Sequence, residues 1–271
     1  STLYRLNGLD LGCNQITDIS ALASLHDLTD LELGIMFLNY LFHPGLVNTN
    51  RPANLAPLTS LLHLEYLGLT DTGLQGTALA PLAASGSALE TLPVLSIGKN
   101  PGLDLTPLAD LDGLLMVIDH DSNLTNTVLA GLSGSTSLMA VYLFNNNLES
   151  LAALSGCTDM LEVNVYNNPN FAVVPNTFPD MNVFTADQCA LSNITNLGGL
   201  NLVSQLSLSD NAINDITPLL TITAFEEGAV IDLIDTPLAH AQSCAVIAAL
   251  RGYGVEVREN ASQCWVTLTY Q

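Results

Sequence analysis

A spacing of apolar residues recurs along almost the whole chain and constrains the fold more than any other feature. Its clearest copy is the segment VSQLSLSDNAINDITPLLTI, residues 203–222, in which leucines alternate before an asparagine and apolar residues then follow at every third position. The copies are mostly 21 to 23 residues apart. We place their starts at Leu6, Leu28, Leu64, Leu92, Leu115, Leu138, Met160, Met181, Val203 and about Gly228, which makes ten repeats. A continuous repeat favours one elongated body.

Each repeat combines two periods that belong to different backbone geometries. The alternating segment is typical of a β-strand with one buried face, and the period of three suits a 3₁₀ or extended return. A single coil cannot bury its own leucines, so consecutive coils must stack. This spacing is the leucine-rich-repeat pattern.

An asparagine follows most of the predicted strands. We call this place the ladder position, because a buried amide there can bond backbone groups from coil to coil. The ladder asparagines are Asn14, Asn100, Asn123, Asn146, Asn168 and Asn211, while Cys189, Thr72 and Thr236 take the same position in their own repeats.

Composition excludes several classes of function. Five Lys+Arg stand against 26 Asp+Glu, which gives a net charge of −21. This charge disfavours nucleic acid and anionic membrane surfaces, and it favours cationic ligands or basic partners. No run approaches the roughly 18 to 20 consecutive apolar residues of a membrane span, so we expect no membrane insertion. The start at Ser1, without Met, is interpreted as a processed or trimmed start.

The largest break in the period lies between Leu28 and Leu64, where a gap of 36 residues leaves about 14 extra. The extra residues fall within residues 36–53, MFLNYLFHPGLVNTNRPA, and include Phe37, Tyr40 and Phe42. Two interpretations stay open. The segment is either a loop folded back onto the flank of the solenoid or an exposed contact patch.

The repeat stops after Leu238, so residues 1–238 are assigned to the repeat region and residues 239–271 to a C-terminal cap. The stretch 239–250, AHAQSCAVIAAL, has a helical composition, and the glycines that follow it end the predicted helix. Residues 255–257 and 265–270 alternate like short strands. A cap of this kind shields the last coil of a solenoid. In an oxidising compartment, a disulfide between Cys244 and Cys264 is expected to stabilise this cap.

Several blocks resemble the 22-residue internalin-like subclass of bacterial leucine-rich repeats. They are NQITDISALASLHDL, NLAPLTSLLHLEYLGL, LTPLADLDGL and NAINDITPLLTI, and TPLAHAQSCAVIAALRGYGVEV resembles the capping segment of secreted members. The resemblance implies an α/β fold, a right-handed solenoid with a parallel β-sheet on its concave face, 3₁₀ or extended convex returns and a C-terminal helix–strand cap. It also implies a non-catalytic binding role, often at the cell surface. The chain departs from the family in showing no helical cap before Leu6.

In such a fold the outward side chains of the strands line the concave face. The residues predicted to bind a partner there are Asp119, Asp121, Tyr142, Phe144, Asn164, Tyr166 and Asp187. Aromatic rings beside carboxylates suit a cationic or sugar-like ligand, or a partner that carries Arg or Lys. Ordinary surface variation is the competing interpretation, because aromatic residues are common in strands. Phe37, Tyr40 and Phe42 form a possible contact loop.

The segment Asp119-His120-Asp121-Ser122 admits two registers. With Asn123 at the ladder position, His120 replaces a core leucine and both aspartates point outward. The alternative register, Leu114/Val117/Asp119, buries an aspartate at a higher cost. We therefore predict the first register, with a half-buried structural His120. One histidine facing away from both acids is a poor ligand set, so no metal site is predicted.

The remaining histidines are scattered, and no nucleophile–base–acid set is implied. We predict no catalytic residues and no cofactor. The sequence therefore predicts an extracellular or cell-surface recognition module that binds a protein or glycan partner, with basic groups, through the concave face. The alternative is a structural surface protein that self-assembles through an uncapped N-terminal end or through the apolar insertion.

Overall fold

The computed structural model describes residues 5–43, 45–84, 91–238 and 240–260. The chain divides into two compact units, Ser1–Asn146 (unit 1) and Asn147–Gln271 (unit 2). This division differs from the predicted boundary after Leu238, which stays a prediction.

Unit 1 is built from short parallel strands that pair with one another in chain order. They are β1 (Gly8–Asp10), β2 (Asp30–Glu32), β3 (Tyr66–Gly68), β4 (Val94–Ser96), β5 (Met116–Ile118) and β6 (Ala140–Tyr142). Among the described residues of this unit, the strands are connected by the short helices α1 (Phe37–Phe42) and α2 (Asn126–Leu129) and by 3₁₀ turns at Ser20–Ser24, Ala56–Ser60, Thr106–Asp110 and Ala130–Leu132.

Unit 2 continues the same pattern of parallel strands, again paired in chain order. Its strands are β7 (Glu162–Asn164), β8 (Val183–Thr185), β9 (Val203–Ser207), β10 (Phe225–Asp232) and β11 (Glu256–Arg258). Between them lie 3₁₀ turns at Ala152–Leu154, Thr195–Gly199 and Thr217–Thr221 and the helix α3 (His240–Gly252). Parallel strands with 3₁₀ returns confirm the predicted leucine-rich-repeat fold.

The helix α3 and the strand β11 lie where the sequence predicts a helix and a short strand. Cys244 lies on α3. Cys264 and the second predicted strand, residues 265–270, lie outside the described residues, so the Cys244–Cys264 disulfide stays a prediction.

The leucines of the repeat form the core. In β2 and β3 and at the residue directly after each strand, Leu31, Leu33, Leu67 and Leu69 are all at most 1% exposed. Three of the 3₁₀ turns carry a proline in their first positions, where its fixed φ suits a tight helical turn and its missing N–H costs no hydrogen bond. The buried leucines, and in three coils a proline near the start of the 3₁₀ turn, therefore stabilise the coil locally.

At Asn100 the ladder position works as predicted. The side-chain nitrogen of Asn100 donates to the carbonyl of Leu69 in the preceding coil (2.9 Å) and to that of Ile97 in its own (2.8 Å). Its side-chain oxygen accepts from the Leu74 backbone N–H (3.0 Å). The residue before the ladder position adopts a positive φ in most repeats, namely at Cys13, Asp71, Lys99, Asp121, Asn145, Asn167, Gln188, Asp210 and Asp235. This left-handed residue turns the chain out of the strand.

The second repeat takes its ladder asparagine from the far end of the insertion. The side-chain nitrogen of Asn50 donates to the carbonyls of Leu11 (2.8 Å) and Leu33 (2.7 Å), and its side-chain oxygen accepts from the Ile16 N–H (2.8 Å). These partners correspond to those of Asn100 in its own repeat. The chain therefore leaves the repeat after Ile35 and resumes it at Asn50, which accounts for the extra residues counted in the sequence.

The predicted register of the Asp119 segment is wrong. Val117 pairs with Val141, so Asp119 aligns with the core residue Leu143. By the same alignment Ser122 occupies the ladder position in place of Asn123, and the repeat starts at Leu114 rather than at Leu115. Asp119 is only 2% exposed, and Leu114 and Val117 are fully buried.

The cost of one buried carboxylate decided the sequence prediction, but a buried aspartate can protonate, which limits that cost. The other register would exchange Leu114 and Val117 in the core for Leu115 and Ile118. In the observed register Leu114 and Val117 fill the core, and Ile118, on the outward side of β5, is only 5% exposed. Three of these four apolar side chains are therefore buried, and each contributes about 1.5–3 kcal/mol.

Candidate functional site

The insertion folds across the face of the unit 1 sheet that points away from the leucine core, which we call the outer face. The centre of the Phe37 ring, on α1, lies 5.7 Å from the centre of the Tyr142 ring and 5.9 Å from that of the Phe144 ring. The centre of the Tyr40 ring lies 4.2 Å from the centre of the His120 ring. The helix that follows β2 therefore reaches the outer face of β5 and β6, and Phe37 and Tyr40 are half-buried there.

His120 is the centre of this aromatic cluster. Its ring stacks on that of Phe144 at 4.8 Å with an interplanar angle of 3°. A Cβ at Gly98, on the neighbouring coil, would lie 2.6 Å from the imidazole. The absence of a side chain at Gly98 thus makes room for the ring, which is fully buried. The expectation of a half-buried His120 in the core is corrected: it lies on the outer face and α1 helps to bury it.

A polar contact fastens α1 to the sheet. The Tyr40 hydroxyl donates to Asp121 Oδ2 (2.6 Å), and His120 Nδ1 lies 2.8 Å from the same oxygen. The Lys99 ammonium group lies 4.6 Å from the centre of the Tyr40 ring, a cation–π distance.

The pKa values of the two hydrogen-bonded groups, the Tyr40 hydroxyl and the Asp121 carboxyl, are well separated. Burial, followed by the hydrogen bond to Asp121, raises the pKa of Tyr40 to about 12. Burial also acts to raise the pKa of Asp121, but the hydrogen bonds from His120 and Tyr40 outweigh it, so that the pKa of Asp121 is lowered. Tyr40 therefore donates and Asp121 accepts throughout the neutral range.

The outer face of unit 1 is buried well beyond the aromatic cluster. Thr70 and Ser96 are fully buried and their hydroxyls share a hydrogen bond of 2.9 Å. Glu32, 3% exposed, accepts from the Tyr66 hydroxyl (2.8 Å) and from the Gly34 N–H (2.8 Å). Burial raises the pKa of Glu32 to about 7, although these two hydrogen bonds act in the opposite direction.

The other side of the insertion is exposed and apolar. Phe42 is 76% exposed, Val47 65% and Leu38 58%, and Leu46 and Met36 are also exposed. We call these five residues the insertion patch. The segment 36–50, MFLNYLFHPGLVNTN, contains no Asp, Glu, Lys or Arg. The insertion thus presents apolar side chains both to the sheet and to solvent, which combines the two interpretations that the sequence left open.

The outer face of unit 2 is polar and only half-buried. The Asp187 carboxylate accepts from the Ser207 hydroxyl (2.7 Å) and from the Ser209 N–H (2.7 Å). Burial raises the pKa of Asp187, although these serines oppose it. Asn164 accepts from the Tyr166 N–H (3.0 Å). The carboxylate and the amide are thus engaged within the unit, and Tyr166 is half-buried.

The structure changes the list of predicted partner-binding residues. Asp119 is in the core, so the expectation that it points outward is wrong. Phe144 lies on the outer face as predicted, but α1 covers it and it is only 6% exposed. Asp121 is bonded to Tyr40, and Tyr142 is half-buried against Phe37. The residues Asn164, Tyr166 and Asp187 belong to unit 2, and their role as contacts stays a prediction.

Sequence reasoning missed the pairing of α1 with His120 and the exposure of Leu38 and Val47. One signal was present in the sequence. Gly34 and Gly98 fall on the outer face, and an outer face that lacks side chains permits another segment to lie close to the backbone.

Among the described residues, no group of three or more His, Cys, Asp or Glu is placed to hold a metal ion. Within the same ranges, no helix has the length and apolar character needed to cross a membrane.

The strand order, the ladder and the 3₁₀ returns define a leucine-rich-repeat protein. The sequence matches no protein-family model and no curated protein. The fold is similar to that of an internalin (inlF) from Listeria monocytogenes, with a TM-score of 0.66 and 21% identity over 97% of this chain and 76% of that one. An internalin C2 (inlC2) from the same organism gives a TM-score of 0.52 and 20% identity over 88% and 82%. The internalin-like resemblance of the repeats is thereby confirmed at the level of the fold.

Plant receptors share the same architecture. The Arabidopsis receptor kinase HAESA, solved in complex with the peptide hormone IDA and the co-receptor SERK1, gives a TM-score of 0.62 and 18% identity. The similarity covers 88% of this chain and 39% of that one.

Proposed function

We propose that this protein is a non-catalytic recognition module that binds a protein partner outside the cell or at its surface. The observation that carries the proposal is the insertion patch. A cluster of exposed apolar side chains commonly marks an interaction surface. Here they lie on a segment that Phe37 and Tyr40 hold against the sheet, so their positions are fixed before binding.

The chemistry of the patch favours a protein over a glycan. Sugar binding relies on exposed aromatic faces beside polar groups, and Phe144 and His120 are buried under α1. The exposed Leu38, Phe42 and Val47 are instead suited to an apolar pocket or groove in a partner. The net charge of −21 adds a preference for basic groups around that groove. The HAESA complex illustrates that a fold of this class can bind both a peptide and a second protein.

A binding screen with matched variants tests the proposal. The biotinylated chain is applied to an array of purified extracellular protein domains, and the hits are measured by surface plasmon resonance. We expect a partner whose affinity falls at least tenfold in the double variant Leu38→Ser/Phe42→Ser. The affinity for this partner should be unchanged in Tyr253→Ser, which alters a side chain of unit 2 that is 66% exposed. Partners that bind all three chains equally would refute the role of the patch.

The same patch supports a second candidate function, self-association. Two copies that paired through their insertions would bury Leu38 and Phe42 against each other. Sedimentation velocity from micromolar to near-millimolar concentration separates the two functions. A dimer that dissociates in the Leu38→Ser/Phe42→Ser variant would favour self-association. A monomer at every concentration would favour recognition of another protein.

A further inference from the structure

A carboxylate occupies a core position of unit 1. Asp119 stands where the neighbouring repeats have Ile97 and Leu143, and it is 2% exposed. Among the residues that the structure describes, its Oδ1 atom is buried and has no hydrogen-bond partner. An ionised carboxylate in that state costs several kcal/mol unless an opposite charge compensates it.

A cavity of about 220 Å³ lies beside this carboxylate. Asp119 and Ser122 both line it, and both are shorter than the leucine and asparagine that most other repeats place at these positions. Ser122 also carries no amide to span the ladder. Gly102 and Asn123 line the same cavity and are exposed, so it reaches the surface between them.

The walls of the cavity have two kinds of chemistry. Leu103, Leu124 and Val128 form an apolar part, whereas Asp119, Ser122 and Thr125 supply oxygen atoms. A single carboxylate serves a divalent cation poorly, because calcium takes six to eight oxygen ligands and usually several carboxylates. A mixed lining instead fits a ligand with one charged end and an apolar stem.

We propose that this cavity binds a primary alkylammonium group, with the ammonium paired to the Asp119 carboxylate and the stem packed on Leu103, Leu124 and Val128. The group has two possible sources, a free small amine or a lysine side chain of a bound protein. The net charge of −21 enriches cations around the chain in either case. None of the lining residues belongs to the insertion, so the site stands independently of the insertion patch.

The ionisation of Asp119 gives the site a pH dependence. Burial, opposed by a hydrogen bond from Ser122, raises the pKa of Asp119 to about 7. An alkylammonium ion stays charged well above this pH, so the carboxylate limits binding. Affinity is therefore expected to fall by about tenfold for each pH unit below 7 and to level off above it.

The test is a titration of the isotope-labelled chain with n-butylammonium chloride at pH 8, followed by heteronuclear NMR. We expect saturable shifts at the amides of Leu103, Leu124 and Val128, and an affinity at least tenfold weaker in Asp119→Asn. Val128→Phe, which fills the cavity and leaves Asp119 unchanged, should also abolish binding and covers the case in which Asp119→Asn does not fold. Glu32→Gln, a buried carboxyl elsewhere in unit 1, should bind as the unaltered chain does.

A parallel titration with Nα-acetyl-lysine methylamide separates the two sources. Binding of both compounds shows that the cavity accepts a lysine side chain, and binding of n-butylammonium alone shows that it takes a free amine. The proposal is overturned if n-butylammonium gives no saturable shift at pH 8, if Asp119→Asn binds equally well, or if potassium chloride at the same ionic strength produces the same shifts.

Discussion

The outer faces of the two units are built on the same repeat but differ in how far their side chains are exposed to solvent. In unit 1, Thr70, Ser96 and His120 on this face are fully buried. In unit 2, the corresponding positions, such as Asn164, Tyr166 and Ser207, are half-buried. The insertion after Ile35 accounts for the covering of His120 and Phe144, because Phe37 and Tyr40 contact both rings.

The comparison shows how a repeat protein acquires an individual surface. The ladder and the leucine core are conserved between coils because each coil must stack on the next, and they leave the outer face free to vary. One insertion that rejoins the ladder at Asn50 converts part of that face into a second small core, with His120 and Phe144 inside it. A new apolar exterior, the insertion patch, is created in the same step.

Deleting the insertion is the most severe way to test this difference. Removing residues 36–49 joins Ile35 to Asn50, so the ladder asparagine keeps its place and the repeat returns to a spacing of 22 residues. We expect the deletion chain to fold but to lose about 4 kcal/mol, because the contacts of Phe37 and Tyr40 are lost and the rings beneath them are exposed. Urea denaturation and amide hydrogen exchange in β5 and β6 measure the loss. An unchanged stability would show that α1 only lies loosely on the sheet.

The buried carboxyl of the outer face gives the next largest effect. Because the pKa of Glu32 is raised to about 7 from 4.5, the folded chain holds a proton that the unfolded chain releases. This contribution to stability is complete below pH 4.5 and is lost as the pH rises through 7.

We expect Glu32→Gln to match the unaltered chain near pH 4.5 and to be more stable than it by about 2–3 kcal/mol at pH 8. Chemical denaturation at both pH values measures the difference. Glu227→Gln, at an exposed carboxyl of unit 2, is the control. A Glu32→Gln chain with the same pH dependence as the unaltered one would contradict the assignment.

Gly98→Val tests how tightly the His120 ring packs against the backbone at Gly98. Its Cβ would meet the His120 ring at 2.6 Å, so either the ring or α1 must move, at a cost of about 2 kcal/mol. Gly199→Val is the matched control in unit 2, since no atom lies within 4 Å of a Cβ added there. Equal stabilities of the two variants in urea would indicate that the stack on Gly98 is not tightly packed.

Much of this structure was predictable from the sequence, and the reason lies in periodicity. The parallel strands, most of the ladder asparagines and the length of the insertion follow from local spacing. The register at Asp119 was mispredicted because the outer face was taken to be open to solvent, whereas Ile118 and His120 are buried there.

The covering of the outer face was beyond local reasoning. Contact between Tyr40 and Asp121 joins residues that are 81 positions apart, and no period in the sequence connects them. The role of Asn50 was hidden for a related reason, since it rejoins the ladder only after the chain has crossed the sheet and returned. Contacts of this kind depend on where an insertion folds, which the repeat does not specify.

Tyr40→Phe is the mildest change and the most specific test of how α1 is held. It keeps the ring on His120 and removes only the hydroxyl that donates to Asp121, a hydrogen bond to a charged acceptor that contributes about 1.5 kcal/mol. The same change at Tyr166 on the open face of unit 2 should cost no more than about 0.5 kcal/mol. Removing the hydroxyl also withdraws one of the groups that lowers the pKa of Asp121, so that pKa should rise in Tyr40→Phe. Carboxyl NMR measures this shift. A stable Tyr40→Phe chain whose Asp121 titrates as before would mean that ring packing alone fastens α1, and that the difference between the two faces rests on apolar contact.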